Sequence, residues 1–275
     1  MKKKTIVYID GFNLYYGLLR FSRNKWLDVV AFAKSLLPRP NEHEILSVKY
    51  FTARVNYDPA EPTAQMRQSV YLSALEAYRP ELKIIEGYYK RFRARYPFAK
   101  EPCKSCKKAS VATVWKTEEK RSDVNIASQM FIDHMENDFG CIVLVSGDTD
   151  LIAPLHYLKK RTGKSIIVFN PHERPSEELR AVSTYYKHIP RDLPAKCQLP
   201  DTIPVGTHGR TIHRPPRDRD RRCRIAAARI APHIVRISAA FPSLFTHFLL
   251  GEEIGGVRLA FHCFLINTCP GRYSY

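Results

Sequence analysis

The sequence predicts a doubly wound α/β domain, because short apolar runs alternate with helical patterns and because polar residues follow several of these runs directly. The first strand is predicted at Thr5–Ile9, a β-branched and nearly continuous apolar run that is typical of a strand buried on both faces. Further strands are predicted at 45–55, 82–89, 111–116, 141–145 and 165–169. We therefore expect right-handed crossovers and a mostly parallel sheet with helices on both faces.

Helices are predicted between these strands from hydrophobic periodicity and from helix-capping residues. They cover residues 13–19, 29–37, 64–78, 123–136, 149–161 and 176–183. Asp28 can cap the second helix, which ends before Pro38, and the third helix ends before Pro80. Residues 92–108 are basic and interrupted by prolines, so they are predicted to form a surface excursion from the sheet.

The alternation of strands and helices ends near residue 195. We therefore predict a domain over residues 1–195 and a basic, poorly ordered tail over residues 196–275. From Gly206 onward, every basic residue apart from histidine is arginine, and residues 225–275 show no clear period. The tail is either a disordered basic arm that binds nucleic acid or the product of a frame shift near Arg217. The abrupt loss of lysine and of patterning favours the second interpretation.

Composition points to a polyanionic partner. The formal net charge is +17 over 275 residues, which favours polyanionic partners such as nucleic acid or an anionic membrane, although uneven surface charge kept for solubility would give the same value. No run of about 18 apolar residues occurs, so no transmembrane helix and no membrane partner are expected. The first apolar run ends at Asp10, too early for a signal peptide, and the odd count of seven cysteines indicates reduced thiols. We expect a cytoplasmic protein.

Aspartates lie where ligands bind in such a sheet. Asp10 directly follows the first strand, Asp148 and Asp150 follow the strand at 141–145, and Asp123 opens a helix. Ligands of open α/β sheets bind outside the carboxyl ends of the strands. A single aspartate at such a place is more often an N-cap, and Asp123 and Asp150 are both plausible caps. Four converging carboxylates, however, repel one another unless a cation neutralises them.

The chemistry of these oxygen ligands predicts Mg²⁺ or Mn²⁺. An ion held there can activate water and stabilise charge on a phosphodiester during cleavage. Asn13 and Ser146 are placed to orient a phosphate or a water molecule. Neither a dinucleotide fingerprint nor a Walker lysine motif occurs as a competing phosphate site.

Two further motifs lie between residues 88 and 106. Residues 88–96 interleave aromatic residues with the cations Lys90, Arg91, Arg93 and Arg95, a mixture that binds nucleic acid by stacking and phosphate pairing. The alternative is a strand end whose aromatics pack inward and whose cations are solvated. Cys103 and Cys106 have the spacing of half a zinc site, which a homodimer could complete, and the alternative is a plain surface turn.

Three segments carry a resemblance to a known family. Ile-Asp-Gly-Phe-Asn-Leu-Tyr-Tyr at 9–16, Lys120–Asn125 and Ser-Gly-Asp-Thr-Asp-Leu-Ile-Ala-Pro at 146–154 resemble the signatures of the NYN domain, a family of PIN-like nucleases, over about residues 4–192. The resemblance implies a Rossmann-like sheet, bound Mg²⁺ or Mn²⁺, and RNA cleavage. It implies metal ligation by Asp10, Asp123 and Asp148, a supporting acid in Asp150 and a substrate-orienting role for Asn13. Arg121 stands where the family often has glycine, so the loop before Asp123 is expected to differ.

The sequence is compatible with three functions. The first is a metal-dependent ribonuclease. The second is a non-catalytic, regulatory RNA-binding module, which the loss of acidic residues would favour, and all four acids are present. The third function is suggested by a resemblance of the NYN-like part of this chain to a monooxygenase that hydroxylates a hydroxypyridine in bacterial nicotine breakdown. That resemblance would imply an NADH-dependent reaction, with NADH as the cofactor. The sequence has no dinucleotide fingerprint, flavin motif or clear two-histidine, one-carboxylate iron site for that chemistry.

Overall fold

A seven-stranded sheet organises the described part of the chain in the computed structural model, which covers residues 1–37, 39–57, 61–97, 111–206 and 209–216. Its strands are β1 (Lys3–Asp10), β2 (His43–Ala53), β3 (Leu82–Pro97), β4 (Val111–Lys120), β5 (Cys141–Val145), β6 (Ser165–Asn170) and β7 (Tyr185–His188). They lie in the order β4-β3-β2-β1-β5-β6-β7. Every described pairing in this sheet is parallel except that of β3 with β4. The predicted α/β class with a mostly parallel sheet is confirmed.

Helices connect these strands largely as the periodicity predicts. They are α1 (Gly11–Leu14), α2 (Val29–Leu36), α3 (Ala64–Tyr78), α4 (Ser122–Glu136), α5 (Ile152–Thr162), α6 (Glu177–Val182) and α7 (Leu193–Lys196). A π-helical turn, Tyr15–Leu19, continues α1, and 3₁₀ turns lie at Pro40–Glu42 and Thr149–Leu151. Asp28 caps α2 as predicted, because its side chain accepts hydrogen bonds from two backbone N–H groups of the first turn.

The core lies on both faces of the sheet. Alternate residues of β1 enter opposite clusters: Val7 and Ile9 pack with residues of α2 and α3, whereas Ile6 and Tyr8 pack with residues of α4 and α5. All four side chains are buried. This two-sided burial is why β1 is apolar almost throughout its length instead of alternating with polar residues.

The strand order creates a crevice beside β1. From β1 the chain builds β2 and β3 on one side and later β5 and β6 on the other. The carboxyl ends of β1 and β5 therefore lie at the point where the winding reverses, which is where open α/β sheets bind ligands. Asp10 ends β1 and Asp148 follows β5 at this position.

The third and fourth strands extend further than the sequence predicts. Pairing of β3 with β2 ends at Gly87, but β3 continues to Pro97 and pairs there with β4 alone, from Tyr88 opposite Lys120 to Pro97 opposite Val111. We call residues 88–97 and 111–120 the β-ribbon. The predicted surface excursion covered residues 92–108. Its first part, residues 92–97, instead extends β3, because cross-strand pairing with β4 satisfies the backbone of this basic segment. The remainder, residues 98–108, lies outside the described residues.

Packing also continues past residue 195, the predicted domain boundary. Leu199 and Ile203 are buried, and the indole N–H of Trp26 donates to the carbonyl of Pro200 at 2.8 Å. A short antiparallel pair, β8 (Thr202–Val205) and β9 (Arg210–His213), follows. The compact unit comprises Met1–Pro216, so residues 196–216 belong with it and not with a tail. The rest of the predicted tail, residues 217–275, lies outside the described residues.

Among the described helices, none is both long and apolar enough to cross a membrane.

Candidate metal centre

Three carboxylates meet at the carboxyl edge of the sheet. Asp10 at the end of β1, Asp123 in the first turn of α4 and Asp148 after β5 each offer an oxygen that lies within 4.8 Å of the other two. Asp10 is buried, and the other two are half-buried. The structure thus brings together the three residues that the sequence predicts as metal ligands.

Hydrogen bonds fix the Asp10 carboxylate. One oxygen accepts from the backbone N–H groups of Phe12 and Asn13, both at 3.0 Å, so Asp10 also caps α1. The other oxygen accepts from the Asn13 side-chain amide at 2.6 Å and from the Ser146 hydroxyl at 3.0 Å. Burial raises the pKa of Asp10, and these hydrogen bonds act in the opposite direction. The carboxylate is therefore held in one orientation before any ligand arrives.

Ser146 links two of the three acids. Its hydroxyl donates to Asp10 and accepts from the backbone N–H of Asp148 at 3.1 Å. Asp148 in turn caps the 3₁₀ turn by accepting from the N–H of Asp150 at 2.9 Å. Asp150 itself is exposed and is not part of the three-carboxylate cluster, although its charge contributes to the raised pKa of Asp123. Its predicted supporting role stays a prediction.

A buried ion pair anchors the helix that carries Asp123. The Lys49 ammonium contacts both oxygens of Asp133, at 2.5 and 2.7 Å, and the Tyr8 hydroxyl donates to the same carboxylate at 2.7 Å. Lys49, Asp133 and Tyr8 are all buried. This network ties α4 to β1 and β2, and so fixes where the first turn of α4 lies relative to Asp10.

Asp123 lies in an electrostatically repulsive environment. Its pKa is raised to about 6, mainly by burial and then by the charges of Asp148 and Asp10. No hydrogen bond to the Asp123 carboxylate occurs among the described residues. The electrostatic repulsion at this position would be relieved by a cation.

The donor set fits a hard divalent ion. Carboxylate oxygens around octahedral Mg²⁺ lie about 3–4 Å apart, since each is about 2.1 Å from the ion. The spacing of up to 4.8 Å among the three aspartate oxygens is within a small side-chain movement of that arrangement. The three aspartates would therefore hold Mg²⁺ or Mn²⁺.

The sequence did not single out His172, which supports Asn13 from the loop after β6. The Asn13 carbonyl oxygen accepts from the Gly147 N–H at 3.1 Å and lies 3.0 Å from Nε2 of His172. Two donors on this oxygen orient the amide so that its NH₂ group points to Asp10. His172 follows the end of β6 by two residues, so the same strand-end rule that found Asp10 would have found it.

Arg121 occupies a position where the backbone conformation favours glycine, the residue that the family often has there. Its φ is 80°, in the left-handed region that glycine adopts freely and that costs other residues about 1–2 kcal/mol. The Arg121 guanidinium lies 4.8 Å from the centre of the Tyr88 ring. The loop before Asp123 thus keeps a conformation suited to glycine although arginine occupies it.

The predicted nucleic-acid-binding cations are divided by the β-ribbon. Side chains alternate along a strand, so Arg91, Arg93 and Arg95 share one face and Lys90 lies on the other. Cys103 and Cys106, the predicted half zinc site, lie outside the described residues.

The NYN domain family matches residues 4–190 of this chain. The chain belongs to this family. NYN domains are PIN-like, and membership points to an enzyme of the nuclease type. The predicted resemblance and the Rossmann-like fold are thereby confirmed.

One curated relative carries a different activity in its name. The chain is 34% identical over 228 residues to 6-hydroxy-3-succinoylpyridine 3-monooxygenase HspA of Pseudomonas putida, covering 73% of this chain and 72% of that protein. Among solved structures, the protein VPA0982 of Vibrio parahaemolyticus, of unknown function, is 18% identical. The match covers 72% of this chain and 97% of that one, with a TM-score of 0.41.

Proposed function

We propose that this protein is a metal-dependent ribonuclease. It would cleave RNA phosphodiester bonds at a metal site formed by Asp10, Asp123 and Asp148. The observation that carries the proposal is the convergence of three carboxylate oxygens within 4.8 Å. The raised pKa of Asp123 adds to it, because the electrostatic repulsion at that position calls for a cation. A bound Mg²⁺ or Mn²⁺ would supply positive charge for the phosphodiester during cleavage and would acidify a water molecule.

The residues around the carboxylates have positioning roles in this proposal. Ser146 keeps Asp10 and Asp148 at a fixed separation through its two hydrogen bonds. Asn13 orients Asp10, and His172 orients Asn13. Prearranged ligands of this kind lose little entropy when a metal and a substrate bind.

Positive charge supports RNA as the substrate. A polyanion approaching three aspartates is repelled unless cations flank them. The net charge of +17 supplies an overall attraction, and Arg91, Arg93 and Arg95 supply a local one.

A cleavage assay on mixed RNA tests the proposal. Purified protein is incubated with Mg²⁺, with Mn²⁺ or with EDTA, beside the variant Asp148→Asn and the control Asp138→Asn. Asp138 is an exposed surface carboxylate whose ion pair with Lys4 is 3.3 Å long. We expect metal-dependent cleavage by the wild type and by Asp138→Asn, and loss of cleavage in Asp148→Asn. Wild-type rates in EDTA or in Asp148→Asn would contradict the proposal.

A second candidate is hydroxylation of a hydroxypyridine, which is favoured by the name of the relative that is 34% identical. In this candidate NADH would be the reductant. The strand-end site does not fit a dinucleotide. In Rossmann enzymes the pyrophosphate lies at the start of the first helix, beside a glycine-rich turn. Here Asp10 caps that helix and Asp148 lies close by, so two carboxylates would face the pyrophosphate. Substrate-dependent oxidation of NADH, followed by absorbance with 6-hydroxy-3-succinoylpyridine, would establish this candidate instead.

A non-catalytic RNA-binding module is the third candidate. It predicts tight RNA binding with no cleavage under any metal condition, and it predicts that Asp148→Asn does not weaken that binding. The same assay, read by binding as well as by product formation, separates it from the nuclease.

A further inference from the structure

The two faces of the β-ribbon differ in chemistry. One face, which we call the arginine face, carries Tyr89, Arg91, Arg93 and Arg95 from β3 and their direct partners Glu119, Thr117, Trp115 and Thr113 from β4. The opposite face carries Lys90, Phe92 and Tyr96 with Lys116 and Glu118. Because side chains alternate along a strand, neighbouring residues of the same segment lie on opposite faces of the ribbon.

Two cations of the opposite face, Lys116 and Lys120, are paired with a carboxylate within the ribbon. Glu118 forms ion pairs with Lys116 and with Lys120, the latter at 2.7 Å, and these lower the pKa of Glu118 to about 2. Among the residues that the structure describes, no ion pair involves Arg91, Arg93 or Arg95. These three guanidinium groups are spaced along about 13 Å of strand. Within the described ranges they form a row of exposed positive charge with no ion-pair partner.

An exposed tryptophan lies within this row. Trp115 is 59% exposed, and the guanidinium groups of Arg91 and Arg93 each lie 5.1 Å from its ring centre. The exposed indole and the two guanidinium groups beside it offer a ligand apolar and cationic surface at the same place. Indole rings and guanidinium planes are both groups on which unpaired bases stack.

The arginine face begins at the metal centre. The Tyr89 ring packs edge-on against Phe12, with 5.7 Å between centroids, and the N–H of Phe12 donates to Asp10. Across the ribbon from Tyr89, the Glu119 carboxylate accepts from the hydroxyl and the N–H of Ser122, which immediately precedes Asp123 in sequence. From Tyr89 to Arg95 the face extends about 20 Å away from this point.

We propose that the arginine face binds a single-stranded stretch of RNA and guides it to the carboxylates. A base stacks on Trp115, and phosphates pair with Arg91, Arg93 and Arg95. Duplex RNA does not satisfy this surface, because its paired bases present no free face to an exposed ring. That the bound polymer is RNA rests on the proposed function. The inference adds that the RNA is single-stranded and names the residues that bind it.

Binding is measured by fluorescence anisotropy in EDTA, in an Asp148→Asn background, so that no cleavage occurs. The probes are a short unstructured oligoribonucleotide and a duplex of the same sequence. Trp115→Ala should weaken single-strand binding about 5- to 100-fold, the effect of one lost base stack, and should change duplex binding little. Trp115→Tyr should retain most of the affinity, since a tyrosine ring also stacks. Neutralising Arg91, Arg93 and Arg95 together should flatten the salt dependence by about 0.7 log–log units per lost phosphate contact.

The opposite face supplies matched controls. Tyr96→Ala removes an aromatic ring that is 41% exposed, and Lys90→Ala removes a cation, both from the face that the proposal leaves unused. Both variants should bind RNA nearly as the wild type does, and thermal unfolding should show that all variants remain folded. Wild-type affinity in Trp115→Ala, or an equal loss on duplex and single strand, would overturn the proposal.

The test is independent of the nuclease assignment. Loss of selective binding in Trp115→Ala, in a protein that never cleaves RNA, would support the arginine face and contradict the nuclease. Metal-dependent cleavage with no effect of Trp115 or of the three arginines would do the reverse.

Discussion

Replacing Asp123 with asparagine should stabilise the metal-free protein. The pKa of Asp123 is raised from its ordinary 3.8 to about 6, so the folded protein binds the proton more tightly than the unfolded chain does. The ionised carboxylate therefore lowers the free energy of unfolding at neutral pH. This penalty is fully present above about pH 6 and is relieved as the pH falls from there toward 3.8. Asparagine has the same shape and no charge, so it removes the penalty.

The size of the effect follows from the pKa shift. About two pH units correspond to a ceiling of about 3 kcal/mol. Asp123 is half-buried, so solvent screens part of the repulsion, and its charge also interacts favourably with the N-terminus of α4. We expect a net gain of about 1–2 kcal/mol, which raises the Tm by about 2–8 °C for a chain of this size.

Thermal unfolding followed by circular dichroism measures this gain in EDTA and in Mn²⁺. In EDTA at neutral pH, Asp123→Asn should unfold at a higher temperature than the wild type, and the difference should shrink toward pH 5. In Mn²⁺ the order should reverse, because the wild type binds the ion more tightly. The exposed control Asp138→Asn should follow the wild type in both conditions. A lower Tm for Asp123→Asn in EDTA, or equal stabilisation of the wild type and Asp123→Asn by Mn²⁺, would show that Asp123 does not carry a repelled charge at a metal site.

Three further changes probe the supporting structure. His172→Ala should lower the RNA cleavage rate about 10- to 100-fold, because it removes a hydrogen bond that orients a neighbour of the metal ligands. His172→Gln should restore the rate, because the glutamine amide can donate to Asn13. Steady-state kinetics measures both variants, and an equal loss of rate in both would contradict the orienting role of His172. Asp133→Asn should lower the free energy of unfolding by about 3–5 kcal/mol, since it leaves Lys49 buried without a counter-charge. Urea denaturation measures this loss. A loss below about 1 kcal/mol, the size expected for a surface ion pair, would show that the buried ion pair is dispensable. A chain that stops after Pro216 should unfold cooperatively in calorimetry. A chain that stops after residue 195 lacks Leu199 and Ile203, and the loss of each buried side chain should lower the free energy of unfolding by about 1.5–3 kcal/mol. Equal stability of the two chains would place the domain boundary at residue 195.

Much of the fold and of the metal centre is readable from the sequence because local signals act there. The apolar run of β1 reflects burial on both faces, and Asp28 caps α2 where a helical period begins. Asp10 and Asp148 were predictable for the same reason, since a polar residue directly after a buried strand lies at the carboxyl edge of the sheet.

What the sequence did not reveal depends on contacts between distant segments. The β-ribbon is stabilised by pairing of residues 88–97 with 111–120, and its basic, proline-interrupted stretch gives no local indication of that pairing. His172 approaches Asn13 across 159 positions of sequence. The buried pair of Lys49 and Asp133 is likewise formed by two charged residues that a local pattern assigns to the surface.

The most direct test compares metal binding with catalysis in the same protein. Mn²⁺ binding is measured by calorimetry, and RNA cleavage is measured over the same range of Mn²⁺ concentrations, for the wild type and for Asp10→Asn. We expect cleavage to rise in parallel with Mn²⁺ occupancy in the wild type, and both curves to move together to higher Mn²⁺ concentration in Asp10→Asn. Cleavage that is already complete before Mn²⁺ binds, or binding that is unchanged in Asp10→Asn, would contradict it.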